Sequence, residues 1–150
     1  MSNIVNVIFN SNYKTSGTNG NANYFIDWSA ILKDNQKYTL SWTYSGQQNT
    51  FTGASKLAAL NINLFAVNYM ANDRFGASVT QNLGNLLQNG SLYADTNFNT
   101  PILLMSRPTN NDVNVQILNN DNPPVIWTDN ATIPVEPNNY ILTLTFTEVN

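Results

Sequence analysis

Histidine and cysteine are both absent from this chain of 150 residues, and Asp, Glu, Lys and Arg together make up only 10% of it. Without an imidazole or a thiol, the chain lacks the side chains that most often titrate or attack near neutral pH, so the usual routes to acid–base and nucleophilic catalysis are closed. No disulfide framework can form, which fits folding in a reducing cytosol. The net charge of −3, with six scattered Lys and Arg, offers no positive footprint for nucleic acid. No uninterrupted apolar run approaches the roughly 18 residues that mark a membrane helix, since Leu57 to Val67 is broken by Asn61 and Asn63. Met1 leads through Ser2 and Asn3 directly into Ile4 to Phe9, with neither a basic stretch nor a small-residue cleavage site, so no signal peptide is expected.

What the chain has in abundance is asparagine, at 28 positions, beside 42% hydrophobic and 11% aromatic residues. An AT-rich coding sequence would raise lysine along with asparagine, yet only Lys14, Lys33, Lys37 and Lys56 occur. Disorder fits poorly with so much apolar and aromatic content, and prion-like aggregation fits poorly with asparagines interleaved among Val, Ile, Leu and Tyr instead of running in tracts. An uncharged surface of amides and hydroxyls suits packing against many copies or partners, because buried charge is costly and charge is depleted at the centres of interfaces.

The length fits one domain, spanning residues 1–150 and able to bury about two-thirds of its unfolded surface in a single core. Its dominant period is two. Tyr38, Leu40, Trp42 and Tyr44 alternate with Thr39, Ser41, Thr43 and Ser45, and Tyr140, Leu142, Leu144 and Phe146 alternate with Thr143, Thr145 and Thr147. Ala58, Leu60, Ile62 and Leu64 alternate with Asn61 and Asn63, as Val113, Val115 and Ile117 do with Asn114 and Gln116. Shorter strands are expected at Ile4 to Phe9, Tyr24 to Trp28, Ser78 to Leu83, Ser91 to Ala94, Ile102 to Ser106 and Val125 to Thr128. Turn signals separate them at Ser16 to Asn21, Ser45-Gly46, Asn72-Asp73, Asn89-Gly90, Asn119 to Pro124 and Glu136 to Asn139. Single helical turns are expected at Ser29 to Lys33, with Ser29 as N-cap, and at Leu83 to Gln88. Eight to ten short strands without a long helix mean an all-β, antiparallel sandwich or barrel.

Side chains with chemistry to offer are few. A glycosidase needs two facing carboxylates about 5–10 Å apart, but Asp34, Asp73, Asp112, Asp121 and Asp129 all sit beside Asn in expected turns. Asp27, within the aromatic segment Tyr24 to Trp28, is the most interesting carboxylate and is equally placed to cap the turn near Ser29. The run Asn119-Asn120-Asp121-Asn122 supplies hard oxygens with a single carboxylate, too little charge for calcium. Glycosylation sequons at Asn89 and Asn130 are no more than chance expects in so Asn-, Ser- and Thr-rich a chain. No catalytic, cofactor-binding or metal-binding residue is assigned, and no cofactor is expected. Among the aromatics, Trp42 shares a strand face with Tyr38 and Leu40 and is expected in the core. Trp28 and Trp127 each end an expected strand, where an aromatic can seal the sandwich end, meet a partner or stack on a glycan.

The order of Tyr24-Phe25-Ile26-Asp27-Trp28-Ser29, Tyr38-Thr39-Leu40-Ser41-Trp42-Thr43-Tyr44, Leu103-Leu104-Met105-Ser106-Arg107-Pro108 and Tyr140-Ile141-Leu142-Thr143-Leu144-Thr145-Phe146 resembles the small single jelly-roll capsid proteins of large icosahedral double-stranded DNA viruses. The resemblance implies a β-sandwich in the form of a single jelly roll of about eight strands, and a structural role without enzymatic activity. It implies a penton or minor capsid component, made in the host cytoplasm and placed in the virion, that associates with copies of itself, as in a pentamer, and with other capsid proteins. Neither direct nucleic-acid binding nor a membrane span is expected. A lectin-like carbohydrate-binding module and a carboxylate-based glycan hydrolase are the rival readings for a sandwich of this composition.

Overall fold

The computed structural model describes residues 3–47, 57–64, 81–89, 92–95, 101–119 and 139–150. The expected strand Val125 to Thr128, with Trp127, and the expected turns at Asn72-Asp73 and Asn120 to Pro124 lie outside the described residues.

Alternation becomes strand wherever the structure is described. The strands are β1 (Ile4–Asn10), β2 (Ser16–Thr18), β3 (Asn21–Phe25), β4 (Tyr38–Gln47), β5 (Leu57–Ile62), β6 (Gln81–Asn89), β7 (Leu92–Asp95), β8 (Ile102–Leu104), β9 (Asp112–Asn119) and β10 (Tyr140–Glu148), and the helical turn α1 covers Trp28–Ile31. Every pairing is antiparallel. One layer runs β1-β10-β4-β8 and the other β6-β5-β9-β3-β2, joined at one border by β7, which pairs both with β6 and with the end of β4 at Ser45 to Gln47.

Setting β2 and β7 aside, the remaining eight strands nest in chain order. The first pairs with the last (β1 with β10), the second with the seventh (β3 with β9), the third with the sixth (β4 with β8) and the fourth with the fifth (β5 with β6). Such nesting is a long hairpin rolled into two facing sheets, the jelly roll.

Inward side chains of both sheets form one core. One end is closed by Trp28, Tyr38 and Phe146 in edge-to-face contact, the other by Phe9, Tyr24, Tyr44 and Tyr140. Each buried polar tip has a partner, as burial demands: the Trp28 indole N–H donates to the Asn110 carbonyl at 2.7 Å, and the Tyr38 hydroxyl accepts the Lys33 N–H at 2.8 Å. Trp42, 4% exposed, is a core residue.

Several local expectations are corrected. Ser45 and Gly46 continue β4 instead of turning, Ser16 to Thr18 form β2, and Trp28 opens α1 where the end of a strand was expected. Leu83 to Gln88 is no helical turn but the middle of β6. Opposite Leu60 and Asn61, β6 presents Gly84 and Asn82 and skips Leu83, a bulge that adds one residue. The bulge brings Leu83 and Leu86 to the same side of the strand, three apart, and so imitates a helical face; both are buried. It also frees the Leu83 carbonyl, which accepts the Trp42 indole N–H at 3.1 Å. At α1, the cap position belongs to Asp27, not Ser29, and the Asp27 side chain makes no capping bond to the backbone; it accepts the Ser29 hydroxyl at 2.6 Å instead. Among the described residues, no helix is long and apolar enough to cross a membrane.

Candidate functional site

The outward face of the β1-β10-β4-β8 sheet is set by register. Rows across it read Ile4, Thr147, Thr39 and Leu103; then Asn6, Thr145 and Ser41; then Ile8, Thr143 and Thr43; then Asn10, Ile141 and Ser45. No position in these rows is charged. The Thr145 hydroxyl donates to Asn6 Oδ1 at 2.8 Å. Ile4 and Ile8 are 61% and 62% exposed, and Ile141 and Leu103 are exposed as well.

The other sheet turns amides outward. Asn114 on β9 donates through Nδ2 to Asn21 Oδ1 at 2.8 Å and Asn23 Oδ1 at 2.9 Å on β3, and Asn23 Nδ2 donates to the Ser16 hydroxyl at 3.1 Å on β2. Just past β5, Asn63 imitates a further strand residue: its Oδ1 accepts the Asn114 N–H at 2.7 Å and its Nδ2 donates to the Asp112 carbonyl at 3.2 Å. Amide side chains thus tie β2, β3, β9 and the end of β5 together across an outer face whose carboxylate, Asp112, stands at the start of β9.

An open cavity of about 270 Å³ lies where β1, β4 and β10 meet, lined by Asn10, Asn12, Ser45, Gly46, Asn139, Tyr140 and Ile141. The buried Ser11 shapes its wall by accepting the Tyr140 N–H at 2.9 Å and donating to Asn139 Oδ1 at 3.4 Å. Behind it Tyr140 stacks on Tyr44, ring centroids 5.5 Å apart, and shares a hydroxyl–hydroxyl bond of 2.8 Å with Tyr24. Burial pushes the phenols of Tyr24 and Tyr140 above the ordinary value, that of Tyr140 further because Tyr24 and Tyr44 crowd it. Both stay neutral at physiological pH. The cavity therefore offers amide and hydroxyl hydrogen bonds to a ligand.

The carboxylates of Asp27, Asp34 and Glu148 lie apart from this cavity. Asp27 sits at α1, Asp34 accepts the Asn35 N–H in the turn where Asn35 takes φ 53°, and Glu148 meets Lys33 Nζ at 2.7 Å. The Lys33 hydrogen bond holds the Glu148 carboxyl below the usual glutamate value, and the same bond raises Lys33. Asp73, Asp121, Asp129 and the sequon residue Asn130 lie outside the described residues, while Asn89 closes β6 and Asn119 closes β9. Among the described residues, no three carboxylates gather into a metal-binding group. Trp28, considered for partner or glycan contact, is 1% exposed and seals the sandwich end. The amide ladder and the buried Ser11 escaped the sequence reading. Alternation placed Asn114 on an outer face, but nothing local says which strands lie beside it.

No protein-family model matches this chain, and no curated protein matches it in sequence comparison.

Proposed function

We propose that this jelly roll is a structural building block of an icosahedral viral shell, a penton or minor capsid component of a large double-stranded DNA virus, acting without catalysis. The observation that supports this reading best is the outward face of the β1-β10-β4-β8 sheet, where hydroxyls, Asn6 and exposed Ile4, Ile8, Ile141 and Leu103 form a surface free of charge. Repeated copies meeting there experience no like-charge repulsion and bury no unpaired ion. Subunits that meet through heterologous contacts close into rings when the rotation allows, which is the geometry of a shell vertex. Light scattering on the purified chain tests the proposal: a multi-subunit particle that persists from low to high salt is expected, because screening acts on exposed charges. A monomer at every concentration and salt would remove its physical support.

The amide-lined cavity at Asn10, Asn12 and Asn139 favours a second reading, a carbohydrate-binding module. That reading expects a monomer or small oligomer retained on immobilised glycans and released by Asn12→Ala.

A further inference from the structure

Strand β1 ends its sheet: β10 covers one side, and among the described residues nothing pairs with the other. The Glu148 N–H donates to the Asn3 carbonyl at 3.0 Å. In an antiparallel ladder this places Asn3, and by alternation Val5, Val7 and Phe9, in the hydrogen-bonded positions opposite β10. Ile4, Asn6 and Ile8 consequently turn their backbone N–H and C=O groups away from β10, toward the open side. Soluble proteins usually protect such an edge with Lys, Pro, a bulge or a cover. β1 has no Lys or Pro and pairs with β10 in unbroken register from Ile4 to Asn10.

The first five residues of β1 form a palindrome, Ile4-Val5-Asn6-Val7-Ile8. Run antiparallel against itself about Asn6, the strand sets Ile4 of one copy opposite Ile8 of the other, Val5 opposite Val7, and Asn6 opposite Asn6. The outward-turned backbone groups are then the ones that meet, giving three hydrogen-bonded pairs and about six bonds by the antiparallel pattern. The exposed Ile4 and Ile8 cover one another, and the two Asn6 amides lie side by side on the two-fold axis. Registers shifted by two residues, centred on Val5 or Val7, instead place an isoleucine against an asparagine.

We propose that β1 is an isologous contact through which two copies of this chain join edge to edge, extending β1-β10-β4-β8 into a continuous sheet of eight strands across a two-fold axis. Pairing needs only the open edge and its palindrome, so it does not rest on the shell reading.

Analytical ultracentrifugation of the full chain, beside Asn6→Lys and Thr43→Lys, tests this. Asn6 and Thr43 are both exposed on the same sheet face, Asn6 on the edge strand and Thr43 on β4 in its interior. A parent species of twice the monomer mass is expected, lost in Asn6→Lys and kept in Thr43→Lys, with circular dichroism unchanged in all three. Because the chain has no cysteine, single thiols report the register independently. Asn6→Cys places two sulfurs across the axis on Cα atoms about 5.5 Å apart, within disulfide reach, and should oxidise to a dimer faster than Ile4→Cys or Thr43→Cys. Equal oxidation rates in the three thiol variants, or a parent that sediments as a monomer throughout, overturn the contact. Larger assemblies undiminished by Asn6→Lys overturn it too, while leaving the shell reading standing; a dimer that Asn6→Lys abolishes, with nothing larger in the parent, supports the edge and counts against the shell.

Discussion

Trp42 and Gly84 illustrate how single residues tie the two sheets. The indole of Trp42 fills the space above β6 so completely that a Cβ on Gly84 would stand 2.6 Å from its Cζ2 atom. Gly84→Ala is therefore expected to destabilise by about 1–3 kcal/mol through overpacking. Trp42→Ala should lose about 3–5 kcal/mol as a large aromatic truncation in a core, with an unpaired Leu83 carbonyl left behind. Urea denaturation checks both; a Trp42→Ala midpoint close to the parent's would mean the ring adds little to the core. Tyr24 and Tyr140 behave differently because each hydroxyl is the other's partner. Either Tyr→Phe change alone strands a buried hydroxyl and should lose about 1–3 kcal/mol, whereas the double change removes both groups and should lose less than the sum of the two. Additive losses in that cycle would show that the hydroxyls have other partners.

At the scale of elements, side-chain amides prolong the ladders that the backbone begins. The β5–β9 pairing ends at Ile62 opposite Val115, and the Asn63 side chain then takes the Asn114 N–H and the Asp112 carbonyl. Asn63→Ala is expected to lose about 1 kcal/mol and to speed hydrogen exchange at the Asn114 amide, while exchange at Val115 changes little. Uniform acceleration along β9 would mean that Asn63 supports the whole strand and not its end. The β6 bulge is the other device at this scale. Its extra residue turns Leu83 inward and hands a ladder carbonyl to an indole, so a locally irregular strand joins the two layers by a hydrogen bond.

For the whole molecule, the absence of histidine leaves no side chain of ordinary pKa to titrate between about pH 6 and 8, and stability and assembly should be nearly flat there. The change belongs at high pH. The Tyr24 and Tyr140 phenols are raised in the folded state, so their contribution is fully present below the usual tyrosine value near 10. It is lost as the pH rises above that value, because the unfolded chain releases protons that the folded chain retains. Urea midpoints between pH 8 and 11 should accordingly fall only in the upper part of that range, and the fall should shrink in Tyr24→Phe/Tyr140→Phe. Glu148, lowered by Lys33, works in the opposite direction. Its contribution is present above the usual glutamate value and fades as the pH drops through the folded value, weakly, since its partner Lys33 is exposed to solvent. A steep midpoint near pH 7 would instead point to a coupled acidic pair and to the hydrolase reading.

Period-two alternation in Tyr38 to Ser45 and Tyr140 to Thr147 determined, from sequence alone, that these segments are strands and which of their faces is buried, because strand geometry sends successive side chains to opposite sides whatever lies beside them. The same rule placed Trp42 inside. Leu83 to Leu86 misled because a bulge resets that parity, and a bulge is defined against the partner strand, which the segment does not contain. Trp28 was undecided for a related reason: a strand-end aromatic is buried or exposed according to what packs over it, here Phe146, 118 positions away by residue number. Pairing order, the amide ladder and the place of β1 at the end of its sheet belong to tertiary structure alone. Each depends on which distant strand lies at hydrogen-bonding distance, and only closure of the core decides that.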